Sequence, residues 1–126
     1  MFSHVMLGAN DIQESKKFYD AILGALGYGE GTIDPKGRCF YFTKTGILGL
    51  SVPIDGEPAC HGNGSTLGFA VETTELGDEW HAAGLANGGV ACEDPPGVRD
   101  GGAMKLYLAY LRDPAGNKIC AMKRMT

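Results

Sequence analysis

Apolar and polar positions along the chain follow two rhythms, and each rhythm is used twice. In Ser3-His4-Val5-Met6-Leu7-Gly8, Val5 and Leu7 share one face of an extended segment while His4 and Met6 share the other, which predicts a strand. Asp11-Ile12-Gln13-Glu14 follows as a D-x-x-E capping signature that opens a helix. Phe18, Tyr19, Ile22, Leu23 and Leu26 then recur at steps of three and four, giving one apolar helix face, and Gly27 is placed to end it. Residues 38–43 and 47–52 read as two strands turned at Lys44-Thr45-Gly46.

The order then repeats. An offset of 62 residues carries Ser3 onto Ser65, Phe18 onto Trp80, Ala21 onto Ala83 and Gly27 onto Gly89. Residues 65–71 form the second opening strand, Thr73 or Thr74 caps a second helix with Leu76, Trp80 and Ala83 on one face, and Gly89 ends it. Strands at 105–112 and 117–122 flank Asp113-Pro114-Ala115-Gly116, with proline early and glycine late as turn chemistry requires. Here the offset is 70, which matches Gly46 to Gly116 and leaves a longer loop in the second half. The expectation is one domain, with a first module at about 1–54, a linker at about 55–64 and a second module at about 65–126. Gly62-Asn63-Gly64 precedes a strand and lacks G-K-[ST], so it is a linker turn and not a phosphate loop.

Composition sharpens this picture. Glycine supplies 20 of 126 residues, about twice its usual share of roughly 7%. The glycines follow no G-X-Y period and apolar residues reach 44%, so the excess indicates tight turns in a folded chain. Fifteen acidic against 11 basic residues give a net charge of −4 and no basic surface for a phosphate backbone, so nucleic acid is excluded as a partner. No apolar run approaches the roughly 20 residues of a membrane span. The first residues have no basic segment of the kind that opens a signal peptide, and the expected location is cytoplasmic. Cys39, Cys60, Cys92 and Cys120 are far apart and form no C-x-x-C, which points to four free thiols.

Three segments carry a resemblance. His4-Val5-Met6-Leu7 with Asp11-Ile12 and Phe18-Tyr19 looks like an H-V-x-L…D-[LI]…F-Y opening. Leu67-Gly68-Phe69-Ala70-Val71 looks like a second-module opening, and Arg112-Asp113-Pro114-Ala115-Gly116-Asn117 like a closing R-D-P-x-G-N hairpin. In that order the chain resembles the vicinal oxygen chelate superfamily of glyoxalase I, bleomycin-resistance proteins and extradiol dioxygenases. The resemblance implies an α+β fold of two βαβββ modules in tandem, forming a curved mixed sheet around a cleft, and a homodimer. It does not fix a reaction, because one fold carries many chemistries.

Metalloenzymes of that family place one ligand, usually His or Glu, on the first and last strands of each module. Carried over, the positions are His4, Leu50 or Ser51, Thr66 and Cys120, of which only His4 keeps the expected type. A divalent centre needs three or more good protein ligands, so the metal ligand set is left unknown and a divalent metal is disfavoured as cofactor. His61 in the linker is a weak substitute, and His81, beside Glu79, reads as a solvated helix residue. His4 suits either a structural hydrogen bond or acid–base work in the cleft.

Around it, Phe42, Tyr107 and Tyr110 are candidate aromatic walls, with Thr66 and Cys120 at the carried-over ligand positions. The segment 92–102 reads as a long loop able to cover a cleft, and its cation Arg99 could grip a ligand carboxylate or phosphate, or pair with Asp94 or Asp100. Two functions remain: a small-molecule enzyme of lyase, isomerase or dioxygenase type with His4 as catalytic residue and a degraded metal site, or a non-catalytic binder of a small organic ligand in the manner of the bleomycin-resistance proteins.

Overall fold

The computed structural model describes residues 1–125. The first half runs β1 (His4–Gly8), α1 (Ile12–Ala25), β2 (Thr32–Ile33), β3 (Cys39–Phe42) and β4 (Ile47–Ser51). The second runs β5 (Leu67–Ala70), α2 (Thr74–Ala86), β6 (Val90–Ala91), β7 (Gly97–Asp100), β8 (Lys105–Arg112) and β9 (Lys118–Arg124). The strands form two mixed sheets, ordered β1-β4-β3-β2 and β5-β9-β8-β6, with β7 also on β8. In each sheet the first strand pairs parallel with the last, β1 with β4 and β5 with β9, while the other pairs are antiparallel. This α+β architecture matches the expected glyoxalase-like fold.

Both helices start as their sequences direct. The Asp11 carboxylate accepts the Glu14 N–H at 3.1 Å, and the Thr73 hydroxyl accepts the Leu76 N–H at 3.0 Å. The ends are less symmetric. Gly27 takes a left-handed φ of 92° past the cap of α1, but after α2 that conformation falls on Gly88, at 99°, and not on Gly89. Gly89 is small for another reason: a Cβ there would stand 2.5 Å from the Phe18 ring and 2.9 Å from the Gly84 carbonyl oxygen. The offset between halves therefore drops from 62 residues at the N-caps to 61 at the left-handed glycines, because α2 has 13 residues and α1 has 14.

The segment 92–102 also differs from the expected loop. β6 and β7 lie in succession along the same edge of β8, so this is one strand interrupted at Cys92–Pro96. The two prolines lack the N–H that a ladder needs, and the chain bulges there. The short β2 and β6 escape a periodicity argument because two residues cannot show alternation.

One core joins the halves. Phe18, Tyr19, Ile22 and Leu23 of α1, Trp80 of α2, and Leu50, Leu111, Ile119 and Ala121 of the sheets are buried together. Each such large side chain stabilises the fold by about 1.5–3 kcal/mol. Gly84 sets the approach of α2: a Cβ there would meet Leu111 Cδ1 at 2.3 Å, and Ile22 Cγ2 and Phe18 Cε1 at 3.2 Å. Gly84→Ala gains about 1 kcal/mol in helix propensity but overpacks this junction at a cost of about 1–3 kcal/mol. The expected result is a lower Tm by calorimetry, the reverse of what Gly→Ala does on an exposed helix face.

Candidate functional site

Strand alternation gives each sheet a side against the helices and an open side. In the first sheet Val5, Leu7, Tyr41, Leu48 and Leu50 join the core, while His4, Met6, Phe40, Phe42 and Ile47 occupy the other side. Gly49 lies beneath Met6 and Phe40; its Cβ would stand 2.3 Å from Met6 Sδ. In the second sheet Phe69, Tyr107, Ala109, Leu111, Ile119 and Ala121 join the core, while Ala70, Leu108, Tyr110, Cys120 and Met122 occupy the other side.

The residues singled out from sequence separate accordingly. His4 is exposed, with Nδ1 2.7 Å from the Ser3 hydroxyl, and shares its sheet side with Phe42, which is 67% exposed and stacks on Phe40 at 5.8 Å. Thr66 is exposed just before β5. Tyr110 and Cys120 are brought together as partners across β8 and β9, next to Gly68 on β5. Lys118 lies 5.0 Å above the Tyr110 ring and is ion-paired with Glu93, the one non-glycine residue with positive φ among the described residues. Burial pushes the Cys120 thiol up, and the charge of Glu93 adds to that shift.

Two candidates are committed to structural bonds. Tyr107 is buried on the helix side, and its hydroxyl donates to Asp78 Oδ1 at 2.8 Å. Burial, with that bond second, raises the phenol above its ordinary range. Arg99 donates to the carbonyl oxygens of Asp94, Pro95 and Gly97 at 3.0, 2.9 and 3.1 Å, so it ties the bulge and pairs with neither neighbouring carboxylate. His81 also departs from expectation. It is buried, 9% exposed, and its Nε2–H donates to the Tyr110 carbonyl at 3.1 Å, which anchors α2 to β8. The helix face it occupies was assigned to solvent from its charged neighbour Glu79, while the covering strand is 29 residues away.

The carried-over metal positions do not fit a divalent centre. Leu50 is fully buried and cannot ligate; Ser51 and Thr66 are neutral hydroxyls; Cys120 is held as a neutral thiol. Among the described residues no three His, Cys, Asp or Glu side chains are grouped to hold a metal ion.

The concavity that does form lies elsewhere. A cavity of about 220 Å³ opens where the end of α1, the β3–β4 hairpin and β5 meet. Leu23, Leu26, Val5, Leu48, Leu67 and Phe69 supply apolar wall, and Tyr28, Thr43 and Thr45 supply hydroxyls toward the hairpin. None of His4, Phe42, Thr66, Arg99, Tyr107, Tyr110 and Cys120 lines it. Tyr41 also lines it, but its hydroxyl donates to Asp20 Oδ1 at 2.7 Å and, by burial first and this bond second, stays protonated far above neutral pH. Burial pushes the Asp20 carboxyl up, yet bonds from the Gly31 N–H, Lys16 and Tyr41 outweigh it and leave Asp20 below its usual range. A second, open groove of about 600 Å³ shares Tyr28, Thr43 and Thr45 with the cavity and adds Phe42 and Lys44.

Sequence reasoning missed these walls. Tyr28 follows a helix end, Thr43 ends the strand expected at 38–43 and Thr45 sits in a turn, so none of them carries a site signature. The available signal was Leu67–Ala70 itself, a strand with glycine and alanine on the side away from the core, which leaves room beside it.

The fold and this site define a small α+β protein with a ligand-sized cavity at the junction of two similar halves. The family model described as Glyoxalase/Bleomycin resistance protein/Dioxygenase superfamily matches residues 1–121, and the chain belongs to that family. A solved glyoxalase/bleomycin resistance protein from Albidiferax ferrireducens T118 is 62% identical, with 97% of this chain and 98% of that one covered and a TM-score of 0.92. A glyoxalase/bleomycin resistance protein/dioxygenase family enzyme from Burkholderia phytofirmans PsJN is 20% identical over 95% of each chain, with a TM-score of 0.72. A hypothetical protein from S. aureus is 19% identical over 97% of this chain and 91% of its own, also at 0.72. These two show likeness of fold alone. No curated protein matches the chain.

His81 makes stability depend on pH. Burial, opposed by the Tyr110 carbonyl and the charge of Asp78, lowers its pKa below 6.5 in the fold. The unfolded chain then binds the proton more readily, so His81 contributes stability above about pH 6.5 that is lost as pH falls. Chemical denaturation between about pH 7.5 and 5 should show that loss, and His81→Gln should flatten the slope in this window.

Proposed function

We propose that this chain is a small-molecule-binding member of its family that holds a compact apolar ligand in the cavity between α1, the β3–β4 hairpin and β5, without a bound metal. The observation that carries this reading is the mismatch between two places. The carried-over ligand positions hold Leu50 or Ser51, Thr66 and Cys120, which suit no divalent metal, while the apolar cavity has no carboxylate, imidazole, thiol or amine in its wall. General acid–base catalysis needs a group that gives or takes a proton near neutral pH. The wall offers only hydroxyls, and Tyr41 keeps its proton. Binding is therefore favoured over proton-transfer chemistry of lyase or isomerase type at this cavity.

The open sides of the two sheets have a separate role in this reading. Phe2, Met6 and Phe42 are exposed at 76%, 37% and 67%, and Met6 and Phe42 share a sheet side with His4. Such a patch suits an interface, and a second copy of the chain is its proposed occupant. Free thiols at Cys39, Cys60, Cys92 and Cys120 suit a reducing compartment.

Ligand binding has a built-in reporter. Trp80 is the single tryptophan and packs at 6.2 Å against Phe69, a cavity wall. Titration with a neutral probe, 1-octanol, should change Trp80 emission saturably. Ala70→Phe, which adds bulk at an exposed position of the wall, should weaken binding about tenfold or more by excluding the probe. Adding zinc should leave Tm unchanged; a zinc-dependent rise lost in His4→Ala would overturn the metal-free part of the reading. Light scattering tests the interface: Phe42→Glu should turn a dimer into a monomer, and a wild-type monomer would remove that proposal.

A further inference from the structure

We propose that the ligand is amphipathic and anionic at one end: an apolar body fills the cavity, and a carboxylate or similar oxyanion head sits in the outer groove at Lys44. This rests on the cavity reading above and adds the chemistry of the head group. The inner cavity and the outer groove are neighbours that share Tyr28, Thr43 and Thr45 in their walls. The two hollows are both largely apolar and differ in that Lys44, a charged residue, lines only the outer one. Inside are Leu23, Leu26, Val5, Leu48 and Phe69; at the junction are three hydroxyls; outside is an ammonium.

The outer walls hold Lys44 and no carboxylate. Among the described residues, Lys44 joins none of the ion pairs, and the Tyr28 hydroxyl makes no hydrogen bond, so two donors remain open at the mouth. Thr43 is partly engaged, since its hydroxyl donates to the Gly46 carbonyl at 2.7 Å, and its oxygen accepts the Gly46 N–H at 3.1 Å. Those bonds fix the hairpin that carries Lys44. A cation and a phenol without acidic neighbours suit an oxygen anion and not an amine. The apolar inner walls would leave a buried charge unpaired, so the charged end is the outer one.

The setting is otherwise unfavourable to anions, because the chain carries a net charge of −4. A preference for an anion would therefore be local and would be screened by salt.

The test compares octanoate with 1-octanol, which share a chain that suits a cavity of about 220 Å³ and differ in head-group charge. Trp80 emission and calorimetry are the readouts. Octanoate should bind about fivefold more tightly than 1-octanol at neutral pH, the scale of one partly exposed ion pair. That preference should disappear in Lys44→Glu and shrink between about 0.02 M and 0.5 M salt, while 1-octanol affinity stays constant. Equal affinity for the two probes, or a preference that survives Lys44→Glu, overturns the head-group assignment and leaves the cavity reading standing. Binding of neither probe overturns both. Lys44 is exposed at the tip of a turn, so its replacement leaves the fold intact, which an unchanged Tm verifies.

Discussion

The arrangement of the two halves depends on one buried carboxylate. Asp113 is 3% exposed, and its carboxylate binds both its own turn and the first helix. Its Oδ2 accepts the Tyr19 hydroxyl at 2.6 Å and the Asn117 amide at 2.8 Å; its Oδ1 accepts the backbone N–H groups of Ala115 and Asn117, both at 2.9 Å. Asn117 then donates onward to the Gly8 carbonyl at 2.9 Å. The last hairpin is thereby keyed to the first helix and to the end of the first strand, across 94 and 109 residues of sequence. A buried acid costs several kcal/mol unless its acceptor positions are filled. Here the turn itself fills three of them and the Tyr19 hydroxyl, which arrives only in the assembled fold, fills the fourth, so the cluster favours this pairing of halves over looser ones.

With the hairpin locked on α1, the remaining contacts follow from size. Gly84 lets α2 close on Ile22, Phe18 and Leu111, and Gly77 makes room for the Tyr107 ring, whose para-hydroxyl then reaches Asp78. The same device appears in the first half, where Tyr41 reaches Asp20 on α1. Each sheet thus presents a tyrosine to an acid on its own helix. The helix sides are consumed by packing and the open sides are left free, which is why the candidate chemistry divides as it does.

Much of this was legible in the sequence. Local patterns marked β1, α1, β8 and the two N-caps, because capping and periodicity act within four residues. The second helix terminator was misplaced by one residue because Gly88 and Gly89 are adjacent, and only φ distinguishes the turn-former from the glycine that packs on Phe18. The interrupted strand β6–β7 was hidden by its own prolines. His81 was misassigned because its partner, the Tyr110 carbonyl, is a backbone group with no sequence signature. For the aromatic residues of β8, alternation says that Tyr107 and Tyr110 face opposite ways, but which one faces the helix depends on where α2 packs.

The cavity was the least legible feature, and the reason bears on its function. No motif builds it. It is the space left where a helix end, a hairpin and an edge strand approach without pairing, since β5 bonds only to β9 and β1 only to β4. A metal centre must be encoded in particular side chains, and Leu50 or Ser51, Thr66 and Cys120 do not supply such a set. A junction cavity requires only that two halves meet imperfectly, which the Asp113 lock and the small residues Gly68 and Ala70 together guarantee. The cavity therefore does not require metal-ligating side chains, because it depends on how the two halves meet.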